Sequence, residues 1–280
     1  MKSMSFHCHR IQGQLGVITK ACVLCPKWCP STNLMFASVR SFEDVLKINE
    51  MARTDLNEIL SAIEFLDDVA IEQPIKYLKH SNVKYPLRDR SPFYVLIETQ
   101  GSHFDHDRQK MDVFIEKLMD CDLITDGCIA EDMTQFESIW KLREGVGAAI
   151  SEGGKGNYSY DVSLPLKHLY DVIPECIAKL EAGGLSGQEV MGYGHLGDGN
   201  IHINIAVDEY TDALEQCLEP WIYEYIASLR GSISAEHGIG VMKPQFLHFA
   251  KGQNAIEYMK QIKNVFDPNN ILNPYMVLPQ

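Results

Sequence analysis

The 280-residue chain has no long apolar run, no excess of basic residues and no dinucleotide-binding fingerprint. Its longest apolar stretches, such as residues 93–97, are far shorter than the roughly 20 residues that a membrane-spanning helix needs. The formal net charge of −13 argues against a nucleic-acid partner. No G-x-G-x-x-G pattern follows an early strand, so the usual signal of a Rossmann NAD domain is missing.

Acidic residues are absent from residues 1–42, which is a property of mitochondrial transit peptides. Residues 13–19 (GQLGVIT), however, are typical of a folded turn and strand, so we expect no cleavable signal there. Cys22, Cys25 and Cys29 form a C-x-x-C pair with one extra thiol but lack the second pair of a zinc site. The remaining cysteines are typical of small apolar side chains in a reducing compartment.

Hydrophobic residues make up 45% of the chain and charged residues 22%, which is typical of one large or two modest globular domains. Predicted helices and strands mix without a regular βαβ repeat. We therefore expect an α+β fold, a largely antiparallel sheet with helices packed on one side. Ser41 is expected to cap a helix, residues 55–71 to be helical, residues 93–99 to form a strand, and Pro220 to interrupt a later helix.

The most informative segment is residues 194–204 (GHLGDGNIHIN), in which a glycine-rich loop runs into a predicted strand. Isoleucines alternate there with Asn200, His202 and Asn204, so the three polar side chains share one face of the strand. Polar groups are costly to bury without partners. This face is therefore either solvated or part of a site.

His195, His202 and Glu236 form a donor set that suits a catalytic divalent metal, with zinc as the usual choice. The alternative is a pair of hydrogen-bonded histidines and a solvated glutamate. His237 follows Glu236 and is either a base beside the metal or a surface histidine. Arg143 is able to clamp a carboxylate through two parallel hydrogen bonds, although a solvated helix arginine is the commoner case.

Residues 194–202 followed by residues 234–240 (SAEHGIG) resemble the C-terminal part of FAD-linked 2-hydroxyacid dehydrogenases, flavoproteins of the vanillyl-alcohol oxidase type. The resemblance extends over about residues 13–280 and is supported by residues 58–65, 91–99, 160–165 and 267–275. The ending at residues 273–275 (NPY) favours the D-2-hydroxyglutarate branch over the D-lactate branch.

The resemblance implies oxidation of a D-2-hydroxy acid such as D-2-hydroxyglutarate to the 2-oxo acid, with FAD taking the hydride and an electron-transfer flavoprotein taking the electrons. It also implies a mitochondrial matrix location and leaves a homodimer open. The roles that it implies are zinc binding by His195, His202 and Glu236, proton removal by His237, substrate contacts from Arg143, Asn204 and His237, and a cofactor contact from Asn273.

Three positions depart from the family. Ser159 stands where members usually have lysine, Gly147 where they have threonine, and Met276 where the closing Asn-Pro-Tyr-Lys has its lysine. Loss of a cationic partner for a carboxylate usually costs a few kcal/mol, roughly 1.5–3. The choice among D-2-hydroxy acids therefore stays open.

The resemblance divides the chain into a remnant of the FAD-binding domain at residues 1–40, a substrate domain with the metal site at residues 41–240, and a C-terminal helical segment at residues 241–280 that returns to the flavin domain. Most of the flavin domain is expected to be missing. The alternatives are a non-catalytic fragment that binds metal or acid, a relative of D-lactate dehydrogenase, and a zinc hydrolase with His237 as base.

Overall fold

The computed structural model of the protein describes residues 12–78 and 83–279, whose centre is one antiparallel sheet. The sheet has seven strands in the order β4-β1-β3-β2-β6-β7-β5. The strands are β1 (Ser31–Val39), β2 (Leu60–Asp67), β3 (Phe93–Gly101), β4 (Asp126–Ile129), β5 (Gly156–Ser163), β6 (Glu189–His195) and β7 (Asn200–Val207). Every neighbouring pair is antiparallel, which confirms the expected α+β class.

Helices pack on both faces of this sheet. The sequence predicted helices on one side only. The larger layer contains α1 (Phe42–Asp55), α3 (Phe104–Asp120), α6 (Val172–Ala182), α7 (Asp212–Leu218) and α8 (Trp221–Ser228). A smaller layer on the opposite face contains α2 (Asp68–Tyr77), α4 (Met133–Glu144) and α5 (Val146–Glu152). The four-residue helix α9 (Leu247–Ala250) and the 14-residue helix α10 (Gln253–Phe266) follow. The second layer exists because strands such as β1 are apolar on both sides, with Leu34 and Phe36 facing it.

Strand β7 alternates as its sequence predicts. Ile201, Ile203 and Ile205 enter the larger core, while His202 and Asn204 lie on the opposite face, beside the smaller helical layer. Both faces of β7 are buried. Its polar face is therefore not simply solvated.

Several local predictions are confirmed, but part of the helix expected at residues 55–71 and the strand expected within residues 13–19 are wrong. Ser41 caps α1 by accepting a hydrogen bond from Asp44 N, and Pro220 separates α7 from α8. Residues 60–67 of the predicted helix 55–71 form strand β2 instead. No helix among the described residues is long and apolar enough to cross a membrane.

The N-terminal segment contains a turn at residues 12–15 and no regular structure from there to β1, and residues 1–11 of the predicted flavin-domain remnant lie outside the described part. Strand β1 precedes the boundary expected after residue 40, yet it pairs with β3 and β4 inside the sheet. The division into domains stays a prediction.

Lys263 and Asp267 connect this N-terminal turn to the end of the chain. Lys263 Nζ donates to Gln14 O at 2.9 Å and to Leu272 O at 2.7 Å, and it pairs with the Asp267 carboxylate. Asp267 also accepts the backbone N–H of Ile271 at 2.9 Å and that of Leu272 at 2.7 Å. The hydrogen bond from Lys263 lowers the pKa of Asp267 to about 2.

This depressed pKa predicts an acid-labile C-terminal segment. The stabilisation from ionised Asp267 is fully present above its unfolded pKa, about 4, and is lost as the pH falls towards about 2. We expect the difference in unfolding free energy between the wild type and Asp267→Asn to shrink across that interval, measured by urea unfolding at several pH values. Asp208→Asn, at an almost fully exposed position, controls for the lost charge. A difference that is independent of pH would contradict the assignment.

Candidate metal and substrate site

The hairpin of β6 and β7 brings the two predicted histidine ligands together. Its loop, residues 196–199, joins antiparallel strands in which Tyr193 pairs with His202 and His195 with Asn200. Both imidazoles therefore project from the same face. His195 Nε2 lies 3.4 Å from His202 Nε2, although seven residues separate them in the chain.

Asp161 on β5 holds the segment that carries Glu236 and His237. Asp161 Oδ2 accepts the backbone N–H of Ala235 at 3.0 Å and those of Glu236 and His237 at 2.8 Å each. Burial raises the pKa of Asp161, but the N–H groups of His237 and Glu236 outweigh burial and leave that pKa below its usual value. These partners lie 74 to 76 residues from Asp161 in the sequence, so no local pattern marks this carboxylate.

The three predicted ligands converge with a spacing that suits a small cation. Glu236 Oε1 lies 3.5 Å from His195 Nε2, close to the 3.4 Å between the two imidazole nitrogens. Bonds of about 2.05 Å at tetrahedral angles place neighbouring zinc ligands about 3.3–3.4 Å apart. The two distances from His195 match this spacing, and all three ligand atoms lie within 4.8 Å of one another, so the set is suited to a zinc-sized ion.

A second donor set consists of Asp161, His202 and His237. Its carboxylate is already committed, because Oδ2 accepts three backbone N–H groups and Oδ1 accepts from Asn200 Nδ2 at 3.1 Å. His195, His202 and Glu236 are consequently the better ligand set.

The two histidines differ in protonation. Burial, followed by the charge of Arg143, lowers the pKa of His202 to about 4, so this imidazole is neutral at pH 7. The hydrogen bond to Glu64 raises the pKa of His195 above its usual value against the effect of burial. A neutral imidazole nitrogen is the form that binds metals.

Arg143 on α4 forms a buried ion pair with Glu64 on β2, a residue that the sequence analysis missed. The side chains are 7% and 6% exposed, and Arg143 Nε donates to Glu64 Oε2 at 3.0 Å. The Arg143 guanidinium lies over the ring of Tyr193, and its Nη2 is 3.3 Å from His195 Nε2. The predicted carboxylate-binding arginine is therefore beside the predicted metal ligands.

Asn204 and His237 also border the cluster. Asn204 Nδ2 donates to Tyr193 Oη at 2.9 Å, while none of the described residues donates to its buried Oδ1. The His237 ring stacks on His202 at 5.6 Å between centroids. Glu64, His195 and Glu236 line one cleft of about 410 Å³, and His237 lines another of about 730 Å³ that includes Ser159. Clefts of this size suit small molecules.

Asn273 lies beside the N-terminal turn, and none of its described hydrogen bonds is to the histidines. Its Nδ2 donates to Gln12 O at 2.5 Å, and Gln12 Oε1 accepts from Gly240 N at 2.8 Å. Gln12 thus joins Asn273 to the segment that follows His237. The predicted cofactor role of Asn273 remains a prediction. Among the described residues, no metal-binding cluster includes Cys22, Cys25 or Cys29.

The sequence matches a known family along most of its length. A family model described as FAD linked oxidases, C-terminal domain, matches residues 30–277. A protein of Schizosaccharomyces pombe provisionally named as a mitochondrial D-lactate dehydrogenase is 46% identical, over 94% of this chain and 51% of its own length. The mitochondrial D-2-hydroxyglutarate dehydrogenase of Bos taurus is 42% identical, over 96% of this chain and 48% of its own length. The chain therefore spans about half the length of these relatives.

Solved structures share the fold at low sequence identity. The 4-ethylphenol oxidase of Gulosibacter chungangensis has a TM-score of 0.60 and 16% identity, covering 90% of this chain and 55% of that one. A p-cresol methylhydroxylase has the same TM-score and 15% identity, covering 91% of this chain and 54% of its own. At this level of identity the likeness concerns the architecture alone.

Proposed function

Because the chain belongs to the FAD-linked oxidases and corresponds to their C-terminal domain, we propose that it supplies the metal-binding and substrate-binding half of a D-2-hydroxy acid dehydrogenase. The proposed substrate is D-2-hydroxyglutarate or a similar acid, oxidised to the 2-oxo acid. The observation that carries this proposal is the convergence of His195, His202 and Glu236 beside Arg143. Relatives named as D-2-hydroxyglutarate dehydrogenases support the substrate class.

Each residue of the site has a proposed task. His195, His202 and Glu236 hold zinc, which when bound supplies a Lewis acid for the hydroxyl and carboxylate oxygens of the substrate. Arg143 binds a substrate carboxylate through its guanidinium, which Glu64 anchors at Nε. Asn204 Oδ1, buried and unpartnered among the described residues, accepts a hydrogen bond from the substrate.

His237 is the proposed base. Its backbone N–H is held by Asp161 at 2.8 Å, and its exposed ring stacks on His202, so it borders the cluster without being one of the preferred ligands. His237 takes the hydroxyl proton of the substrate on an imidazole nitrogen, the side-chain group that most often serves as a general base.

FAD is the proposed hydride acceptor, since the family is FAD-linked. When bound, FAD would supply the redox group that takes up the hydride from the substrate carbon. Asn273 is the proposed contact from this chain, and its amide nitrogen also donates to Gln12 O. Most of the flavin pocket is proposed to correspond to the half of the relatives that this chain does not match. An electron-transfer flavoprotein as electron acceptor and a homodimer belong to the same proposal. So does a mitochondrial location, which is part of the relatives' names.

A D-lactate-type substrate is the second candidate. The 46% identity to the Schizosaccharomyces pombe relative favours it, as does Ser159 in the cleft beside His237, since serine offers no charge to a second carboxylate. Glu215 and Glu219 line the same cleft and disfavour a second carboxylate further.

Metal-dependent binding of the hydroxy acid tests the proposal. We expect the zinc-loaded chain to bind D-2-hydroxyglutarate by calorimetry at least about tenfold more tightly than the metal-free chain, because the metal and Arg143 contact the acid together. D-Lactate and the L-enantiomers are measured alongside. Stronger binding of D-lactate would favour the second candidate. Equal binding with and without zinc would contradict the proposal.

Visible absorption of the purified protein addresses the redox step. A chain that holds flavin absorbs at about 450 nm. If the chain is an enzyme on its own, the substrate bleaches this absorption. A colourless chain that binds zinc and hydroxy acid would instead be a binding fragment that needs a flavin partner. Ester hydrolysis without any electron acceptor would indicate the zinc hydrolase alternative.

A further inference from the structure

Glu64 is the one buried carboxylate among the described residues that contacts both a predicted metal ligand and the predicted substrate-binding arginine. Glu64 Oε1 lies 2.8 Å from His195 Nδ1, and its Oε2 accepts from Arg143 Nε at 3.0 Å. The Glu64 side chain is 6% exposed, so water competes little for these bonds.

The first contact determines the tautomer of His195. An ionised carboxylate only accepts hydrogen bonds, so the proton of the neutral imidazole is on Nδ1. The lone pair of the ring is then on Nε2. His195 Nε2 lies 3.4 Å from His202 Nε2 and 3.5 Å from Glu236 Oε1, so its lone pair is available to the metal that these three atoms would bind.

The second contact determines how Arg143 is presented. With Nε held by Glu64 and the guanidinium 4.9 Å from the centre of the Tyr193 ring, Nη2 is directed towards His195 Nε2 at 3.3 Å. One carboxylate thereby orients two functional groups that come from different elements, β6 and α4.

We propose that Glu64 is a positioning residue that couples the metal ligand His195 to the substrate-binding Arg143. The inference rests on the proposed metal site and adds a residue that acts through its neighbours rather than on the substrate. Such carboxylate–histidine–metal arrangements tune metal affinity by about 10–100-fold.

Glutamine at position 64 cannot serve both partners. A side-chain amide has one acceptor oxygen and one donor nitrogen, whereas His195 Nδ1–H and Arg143 Nε–H both need an acceptor. Because arginine does not lose its proton, the amide oxygen is expected to face Arg143 and the amide nitrogen His195. His195 is then driven to the Nε2–H tautomer, which removes the lone pair from the metal position.

The test compares Glu64→Gln with Glu98→Gln. Glu98 lies on the same sheet face and is also buried, and it accepts from Trp140 Nε1 at 2.9 Å and Gln100 Nε2 at 2.7 Å, away from the histidines. We expect zinc affinity, measured by competition with a chromophoric chelator, to fall about 10–100-fold in Glu64→Gln. Glu98→Gln is expected to stay within about threefold, because it leaves the ligands in place.

Imidazole ¹⁵N NMR of the metal-free protein measures the tautomer of His195. Loss of a residue that only supports the fold would not change this tautomer. His195 is expected to carry its proton on Nδ1 in the wild type and in Glu98→Gln, and on Nε2 in Glu64→Gln. An unchanged tautomer together with wild-type zinc affinity would overturn the inference. If the wild type binds no zinc, the metal site itself fails instead, so the two failures are distinguishable.

A double variant distinguishes loss of zinc binding from loss of folding. Glu64→Gln leaves Arg143 buried without its carboxylate, whereas the double variant Glu64→Met with Arg143→Met removes both charges and retains similar volume. We expect the double variant to fold and to remain about 10–100-fold weaker for zinc, since His195 Nδ1 has lost its acceptor. A folded double variant with wild-type zinc affinity would refute the role of Glu64.

Discussion

His202→Ala is expected to abolish stoichiometric zinc binding, lowering the affinity by more than about 100-fold. The substitution leaves two of the three donors, His195 and Glu236, whose ligand atoms are 3.5 Å apart. His202 is also the ligand whose lowered pKa, about 4, leaves it unprotonated at pH 7. The metal therefore loses a donor for which protons do not compete at neutral pH.

Zinc content after dialysis and chelator competition measure this loss. His248→Ala is the control, because His248 is exposed on α9 and its Nδ1 contacts Gln245 O rather than the cluster. His202→Asn retains a polar side chain in the buried position and separates ligand loss from cavity formation. Equal zinc content in the wild type and His202→Ala would rule out the assigned ligands.

The features of the site that depend on neighbouring residues in the sequence were predictable. The alternation from Asn200 onwards placed His202 and Asn204 on one face, and a glycine-rich loop of four residues kept His195 nearby. Ser41 and Pro220 acted through the backbone of their own elements, so the start of α1 and the break between α7 and α8 were also readable.

Strand β2 was mistaken for a helix because both of its faces are buried. Ile63 and Phe65 enter the larger core while Leu66 enters the smaller one, so the sequence shows no alternation of polar and apolar residues. The same error concealed Glu64. Its partners lie 79 and 131 residues away in sequence, and a single glutamate in an apolar run is no signal until the sheet order is known.

Asp161 illustrates a different limit. Asp161 accepts hydrogen bonds from the backbone N–H groups of residues 235–237. Every residue except proline carries such a donor, so the sequence does not show which ones Asp161 binds. From the sequence alone, the convergence of Glu236 with the histidines was a hypothesis. In the structure, an antiparallel bridge between Ser163 at the end of β5 and Ser232 brings the segment that carries Glu236 alongside Asp161.

Gly194→Ala is expected to destabilise the fold by roughly 3 kcal/mol or more. A Cβ at Gly194 would lie 2.2 Å from Asn200 O and 2.9 Å from Ile201 Cα, both of which are backbone atoms of the neighbouring strand. Neither atom is able to move aside as the end of a flexible side chain would. Strands β6 and β7 must therefore separate at the Gly194–Ile201 pair, one residue from His195 and His202.

The same separation predicts a functional loss beyond the loss of stability. Since the 3.4 Å between the two Nε2 atoms depends on this strand pairing, zinc affinity should fall along with the urea midpoint. Gly197→Ala is the matched control, because Gly197 lies in the loop of the same hairpin and a Cβ there meets nothing within 4 Å. We expect Gly197→Ala to unfold within about 1 kcal/mol of the wild type and to bind zinc normally. Wild-type stability in Gly194→Ala would show that the close approach of β6 and β7 does not hold the two histidines together.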